Sequence, residues 1–250
     1  MRPSVRQASI FELIEKRGRA AVEEIAEKYG ASPETVRRDL NALAERGLVR
    51  KVHGGAVRRA GRGEGLFDER LAENTRAKRE IAEKLARAVQ PGDSVMIDTG
   101  TTTLICAEAL ARIRDLTVIT NSTRIAQVIA HAENGSRALL LGGMFRAGND
   151  QTIGAKTCAE VAGYRVDHVV LTVSALDASG AYDVSFEEAQ VARAMIECSE
   201  NISIVADGSK LRQRATHRVC DLTQVKNLYL NQPADPEFTA ALAAAHVRLH

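Results

Sequence analysis

The sequence predicts an α/β protein with a small N-terminal winged helix-turn-helix domain followed by a larger, mostly parallel α/β domain. Three observations predict this. A capped helix with one apolar stripe begins at Ser32, two short strands broken by glycine follow Leu48, and from Ser94 onward apolar runs alternate with helical segments.

In the first of these helices, at 100° per residue, Val36, Leu40 and Leu43 fall within about 60° of one another. Glu34, Arg38 and Asn41 point the opposite way, with Thr35 and Arg37 on the flanks. Ser32 is placed to accept from the orphan N–H groups of the first turn, and Pro33 at the first helical position forfeits no needed hydrogen bond. Upstream, Val22, Ile25, Ala26 and Tyr29 form a shorter amphipathic helix ending at Gly30, which suits the left-handed geometry of a tight turn between crossing helices. An earlier helix supplies Ile10, Leu13 and Ile14 as the third wall of a small core. The run from Leu48 to Val57 reads as two strands around a glycine turn, the pattern of a wing.

Charge divides along the same line. Residues 1–62 hold 14 Lys+Arg against 8 Asp+Glu, whereas residues 63–250 hold 20 against 24. The basic head favours a polyanion, and the winged helix-turn-helix pattern makes that partner double-stranded operator DNA. Most hydrogen bonds in such interfaces go to phosphate and sugar, so few side chains carry sequence information. Arg37 and Arg38 are the candidates for guanine edges, and Thr35 for a base methyl or a phosphate. Ser32, Asn41, Lys51, His53 and Arg58 complete the DNA-facing set, the last three lying near phosphates with Arg59.

Composition excludes other classes. An apolar content of 45% with 26% charged residues is ordinary for a globular protein with a good core. No apolar run approaches the roughly 18 to 20 residues that cross a bilayer, and Met1-Arg2-Pro3 opens onto a charged helix, so a cytoplasmic protein with no membrane partner is expected. Cys106, Cys158, Cys198 and Cys220 are widely spread without ligand spacing and read as free, mostly buried thiols. No metal site, cofactor or catalytic residue is assigned.

The stretch from Ala60 to Gly65, with three glycines, marks the boundary. The expected division is residues 1–59, a linker over 60–73, and a second domain over 74–250. There a helix from about Asn74 carries Ile81 and Leu85, and strands are expected at Ser94–Ile97, Thr117–Thr120, Ala138–Leu141, His168–Val173, Ile202–Ala206 and Leu228–Leu230. Their near-continuous Val, Ile and Leu content implies a sheet covered on both faces. Ligands of open α/β sheets sit beyond the carboxyl ends of strands, where this chain gathers polar residues. Asp98, Gly100, Thr101 and Thr102 follow the first strand, Asn121 and Ser122 the second, and Gly142 and Gly143 the third; each set offers free N–H groups or hydroxyls to an anion. Lys210, after the fifth, adds a cation. Lys78 is either a second such cation or a surface lysine.

Ser32-Pro33-Glu34-Thr35-Val36-Arg37-Arg38-Asp39-Leu40 and His53-Gly54-Gly55-Ala56 resemble the N-terminal domain of DeoR-family transcriptional regulators. The second half resembles the same family through Asp98-x-Gly100-Thr101-Thr102, Thr120-Asn121-Ser122, Leu141-Gly142-Gly143, Glu188-Ala189 and Ala206-Asp207-x-Ser209-Lys210. The resemblance implies a homo-oligomeric repressor of carbohydrate-utilisation genes. It further implies a sensor domain of the ribose-5-phosphate isomerase fold that binds a phosphorylated sugar effector. Where family members carry a glycine-rich turn, this chain has Leu171 to Asp177, in which Val173 and Leu176 either narrow the pocket or fill a core. Asp177, Asp183 and Glu187 either bind sugar hydroxyls or cap a helix. The alternative function is a phosphosugar isomerase-like enzyme with Asp177, Glu187 or Asp98 as base.

Overall fold

A computed structural model describes residues 3–45, 48–58, 67–211 and 213–250, in two compact units divided between Gly65 and Leu66. The smaller unit comprises α1 (Pro3–Arg17), β1 (Arg19–Ala21), α2 (Val22–Tyr29), α3 (Pro33–Glu45), β2 (Val49–Val52) and β3 (Gly55–Arg58). Its core takes Ile10 and Ile14 from α1, Ile25 from α2 and Val36, Leu40 and Leu43 from α3, each at most 1% exposed. The turn between α2 and α3 depends on Gly30, which ends α2 at φ 59°, ψ 41°. Ser32 Oγ then accepts from Thr35 N at 3.2 Å.

The expected wing is an antiparallel hairpin of β2 and β3, and β1 adds a third strand on the far side of β3. Three residues are too few to show a strand period, which is why β1 escapes a sequence reading. Gly55 is required there by space: a Cβ would lie 2.4 Å from the Ala20 carbonyl oxygen. One polar group enters the core. Asp39, 4% exposed, accepts from Arg6 Nε at 2.5 Å and from Gln7 Nε2 at 3.0 Å, tying α1 to α3.

The larger unit opens with α4 (Phe67–Ala72) and α5 (Thr75–Ala86). Helices and strands then alternate through β4 (Ser94–Ile97), α6 (Thr101–Leu110), β5 (Thr117–Thr120), α7 (Thr123–Ala130) and β6 (Arg137–Leu140). A hairpin of β7 (Met144–Arg146) and β8 (Gln151–Ile153) precedes α8 (Ala155–Val161) and β9 (His168–Leu171). The chain continues through β10 (Ala175–Asp177), β11 (Gly180–Asp183), α9 (Phe186–Ile196), β12 (Ile202–Val205) and β13 (His217–Cys220). It ends with β14 (Asn227–Tyr229), α10 (Pro236–Ala244) and β15 (Arg248–Leu249).

Seven strands form one parallel sheet in the order β15-β14-β12-β9-β4-β5-β6. Two cores cover it. Ile81, Leu85, Leu104, Leu110, Ile125 and Ile129 of α5, α6 and α7 pack on one face, and Val161, Val191, Met195, Phe238 and Leu242 of α8, α9 and α10 on the other. Burial on both faces explains the uninterrupted apolar strands.

Two expectations change. Residues 67–72, placed in the linker, are helical, and buried Phe67 joins the α5–α6 core with the Arg124 guanidinium 4.6 Å from its ring centre. The expected glycine-rich linker segment lies outside the described residues. The loop 177–183 is largely a hairpin, since β10, β11 and β13 form a small antiparallel sheet. Val173 and Leu176, 2% and 1% exposed, fill the α9-side core. All four cysteines are free, Cys158 being only partly buried. Among the described residues no helix is long and apolar enough to cross a membrane.

Removing the Asp39 carboxylate breaks its mostly buried ion pair with Arg6, and breaking such a pair costs on the order of 3 kcal/mol. Asp39→Ala is therefore expected to unfold the small unit at lower urea, while Asp39→Asn, which keeps an acceptor, loses less. Superimposable urea curves for wild type and Asp39→Ala would refute the role of this tie.

Candidate functional sites: a basic helix face and a cleft at the strand ends

On α3 the apolar stripe is buried and the opposite face is open. The Arg37 and Arg38 side chains are 54% and 80% exposed, and Asn41 is exposed beside them. Each arginine lies 3.7 Å from Glu34. Exposed pairs of this kind are worth well under about 1 kcal/mol, so Glu34 does not hold the guanidinium groups back from a stronger anion. Thr35 is the least available of the set, because its hydroxyl is 2.8 Å from Ser32 Oγ at the helix cap. Lys51 and His53 are exposed on the hairpin, one on β2 and one at the turn. Arg58 ends β3, and its side chain lies outside the described residues, as does Arg59.

The second candidate site lies at the carboxyl ends of the parallel strands. Asp98, just past β4, is buried, and its two oxygens accept from Thr172 N at 3.1 and 3.0 Å at the end of neighbouring β9. Gly100 has extended backbone, so its need for glycine is spatial: a Cβ would sit 2.2 Å from Thr172 Cγ2. The space on the Cβ side of Gly100 is thus filled by Thr172. Beyond it α6 begins with buried Thr101, Thr102 and Thr103, and among the described residues no side chain caps that helix. Thr99 Oγ1 donates to Asn121 Oδ1 at 3.1 Å, and Asn121 Nδ2 donates to Thr152 O at 2.9 Å, so Asn121 is locked between β5 and β8. Ser122 Oγ accepts from Ile125 N and caps α7.

Gly142 and Gly143 do not open toward an incoming anion. Gly142 N donates to the Glu160 carboxylate at 2.9 Å, and a Cβ on Gly143 would lie 2.0 Å from Thr157 Oγ1, so both seat this turn against α8. Asp177 accepts from Ser179 N, and Asp183 from Ser185 N, each at 2.8 Å within its own turn. Glu187 is 41% exposed and pairs with Arg146 at 3.2 Å. Its own amide N–H and that guanidinium hold its carboxyl below the usual range.

The inward acid is its neighbour. Glu188 accepts from Gln151 Nε2 at 2.6 Å and Asn149 Nδ2 at 3.1 Å, extending the Asn121 network. A signal for it exists in the sequence: Glu188 precedes buried Ala192 by one turn and Met195 by two, placing it on the apolar stripe of α9.

Charges of both signs meet here, Arg146 lying 3.7 Å from Glu188. Burial pushes the Asp98 carboxyl well up, and the nearby acids Asp183 and Glu188 push it further. On the other side stands Lys78, which is not a surface lysine: it is 3% exposed and donates to the carbonyls of Arg70 and Glu73 at the end of α4. Burial lowers its pKa, Asp207 opposes that, and Lys210 and Arg70 add to it. Asp207 is itself fixed by Asn74 Nδ2 at 3.2 Å. Lys78, Lys210 and Arg70 therefore form a cationic margin at the β12 end, with Asp207 and Glu73 among them.

Comparison with known proteins follows this division. Residues 6–60 match the DeoR-like helix-turn-helix domain, and residues 73–232 match the DeoR C terminal sensor domain. The glycerol-3-phosphate regulon repressor of Escherichia coli (strain K12) is 31% identical over 250 residues, spanning 100% of this chain and 99% of its own. The HTH-type transcriptional repressor CsqR of the same strain is 34% identical over 230 residues, spanning 91% and 87%. Among solved structures, ribose 5-phosphate isomerase A from Methanocaldococcus jannaschii aligns with a TM-score of 0.40 at 16% identity, over 56% of this chain and 55% of that one. With both halves matched in order and relatives aligned from end to end, the chain belongs to the DeoR family of DNA-binding transcriptional regulators.

Proposed function

We propose that this regulator is a repressor that binds operator DNA through α3 and releases it when a small phosphorylated sugar or polyol occupies the strand-end cleft. The observation that carries the DNA half is the split of α3 into a stripe of Val36, Leu40 and Leu43, at most 1% exposed, and an open face bearing Arg37 and Arg38. Arg37 and Arg38 read base edges, while Lys51, His53 and Arg58 hold phosphates. A single small winged domain makes few contacts, so the active species is a homo-oligomer presenting two α3 helices about 34 Å apart.

The effector half rests on the uncapped start of α6 at Thr101 and Thr102, the cation of Lys210, and the polar set of Asp98, Asn121 and Glu188. A phosphate carries its charge to the helix N-terminus and the cationic margin, and its hydroxyl-bearing end meets the carboxylates. Relatives named for a glycerol-3-phosphate regulon support a small phosphate ester as the ligand class. The proposed site binds without turning over: of the three bases offered above, Asp177 is engaged with Ser179, Glu187 with Arg146 and Asp98 with the Thr172 amide. The DNA-binding part spans residues 1–59, with a linker between it and α4.

Arg37→Ala or Arg38→Ala is expected to cost about 1 to 3 kcal/mol on operator DNA and to loosen sequence preference, and Lys51→Ala to weaken all sequences alike with a flatter salt dependence. Equal losses on operator and random duplex in fluorescence anisotropy would count against base reading. Lys210→Ala and Thr101→Ala are expected to keep DNA binding and lose release by the effector. Retained release would remove those residues from the site, and isomerisation of ribose 5-phosphate by the purified protein would restore the enzymatic alternative.

A further inference from the structure

Among the described residues, Ser174 Oγ is buried with no hydrogen-bond partner, and Ser174 as a whole is only 7% exposed. A hydroxyl desolvated and left unpaired destabilises the fold, so its retention calls for a partner supplied from outside. Its backbone is fixed, since Ser174 N donates to Tyr182 O at 3.0 Å. Within β9, Val170 packs into the core under α5 and α6, and Leu171 into the core under α9 and α10. Past the strand, the Thr172 methyl fills the space beside Gly100 at the start of α6, and Val173 returns to the α9-side core. Ser174 follows at a bend, two residues on, in the loop that Asp98 ties to the end of β4 through Thr172 N.

We propose that Ser174 is a ligand-binding residue of this cleft, its hydroxyl donating to an oxygen of the bound phosphate ester. The inference rests on the effector reading above and adds a residue to it. Val173, turned into the core, fixes the strand so that the hydroxyl is held in place before the ligand arrives, which lowers the ordering cost of binding.

The test is calorimetric titration of full-length wild type and Ser174→Ala with sn-glycerol 3-phosphate, ribose 5-phosphate and inorganic phosphate, alongside thermal unfolding without ligand. The expected result is a loss of about ten-fold in affinity for the probe that wild type binds best, with the ligand-free Tm unchanged or raised because an unpaired hydroxyl has gone. Loss on inorganic phosphate as well places the contact on a phosphoryl oxygen; loss confined to the esters places it on a ligand hydroxyl. Wild-type affinity in Ser174→Ala overturns the inference and leaves the effector reading standing. A lower ligand-free Tm, with or without a change in affinity, overturns it in favour of a packing role. Failure of wild type to bind any of the three probes overturns the effector reading and this inference with it.

Discussion

The tie between Asp98 and the Thr172 amide governs the larger unit, because it joins the ends of two adjacent strands in the middle of the parallel sheet. Both carboxylate oxygens accept from the Thr172 N–H, and the loops that follow β4 and β9 are held close enough that Gly100 has no room for a Cβ beside Thr172. From that closeness the rest of the cleft follows. The start of α6 is brought beside the extension of β9, Thr99 is set against Asn121, and the network runs on through Gln151 to Glu188. A parallel sheet buried on both faces leaves its strand ends as the natural place for such polar groups, and the Asp98 tie draws them together.

Asp39 and Asp98, one buried acid from each unit, are treated differently. Asp39 in the small unit has a guanidinium and an amide side chain as partners, so its charge is compensated where it stands. Asp98 has an amide N–H and two further carboxylates nearby, and its ionised form is disfavoured. The first arrangement holds helices in place. The second keeps a desolvated, uncompensated group at a cleft, which a protein retains at the expense of stability where something is to be bound.

Much of this was readable from residue order. The start of α3 announces itself through Ser32 and Pro33, its burial through the spacing of Val36, Leu40 and Leu43, and the parallel strands through their unbroken apolar runs. What was not readable depends on partners distant in the chain. β1, β10 and β11 are three or four residues long and exist because other strands lie beside them, so no local period marks them. Lys78 sits in an ordinary amphipathic helix, and only the carbonyls at the end of α4 make its burial tolerable. Gly142 and Gly143 read as an open anion cradle because sequence cannot show that Glu160 and Thr157, a helix away, already fill it. The choice between Glu187 and Glu188 was open to the helical period, which favours Glu188.

The charge layout of the cleft limits which reading of it is consistent. A dianion set beside Asp183 and Glu188, the carboxylates that disfavour ionised Asp98, would be repelled by them in the same way, and strongly so in a poorly solvated space. The same dianion at the start of α6 would meet the N–H groups of that helix's first turn, with Lys78 and Lys210 at the β12 end as the cations of the proposed site. A phosphorylated ligand would thereby be oriented, with its hydroxyls toward the acids, whose oxygens are good acceptors for them. An uncharged sugar lacks the half of the interaction that the cations supply. The proposed effector class thus rests on the contrast between the start of α6 and the acids near α9.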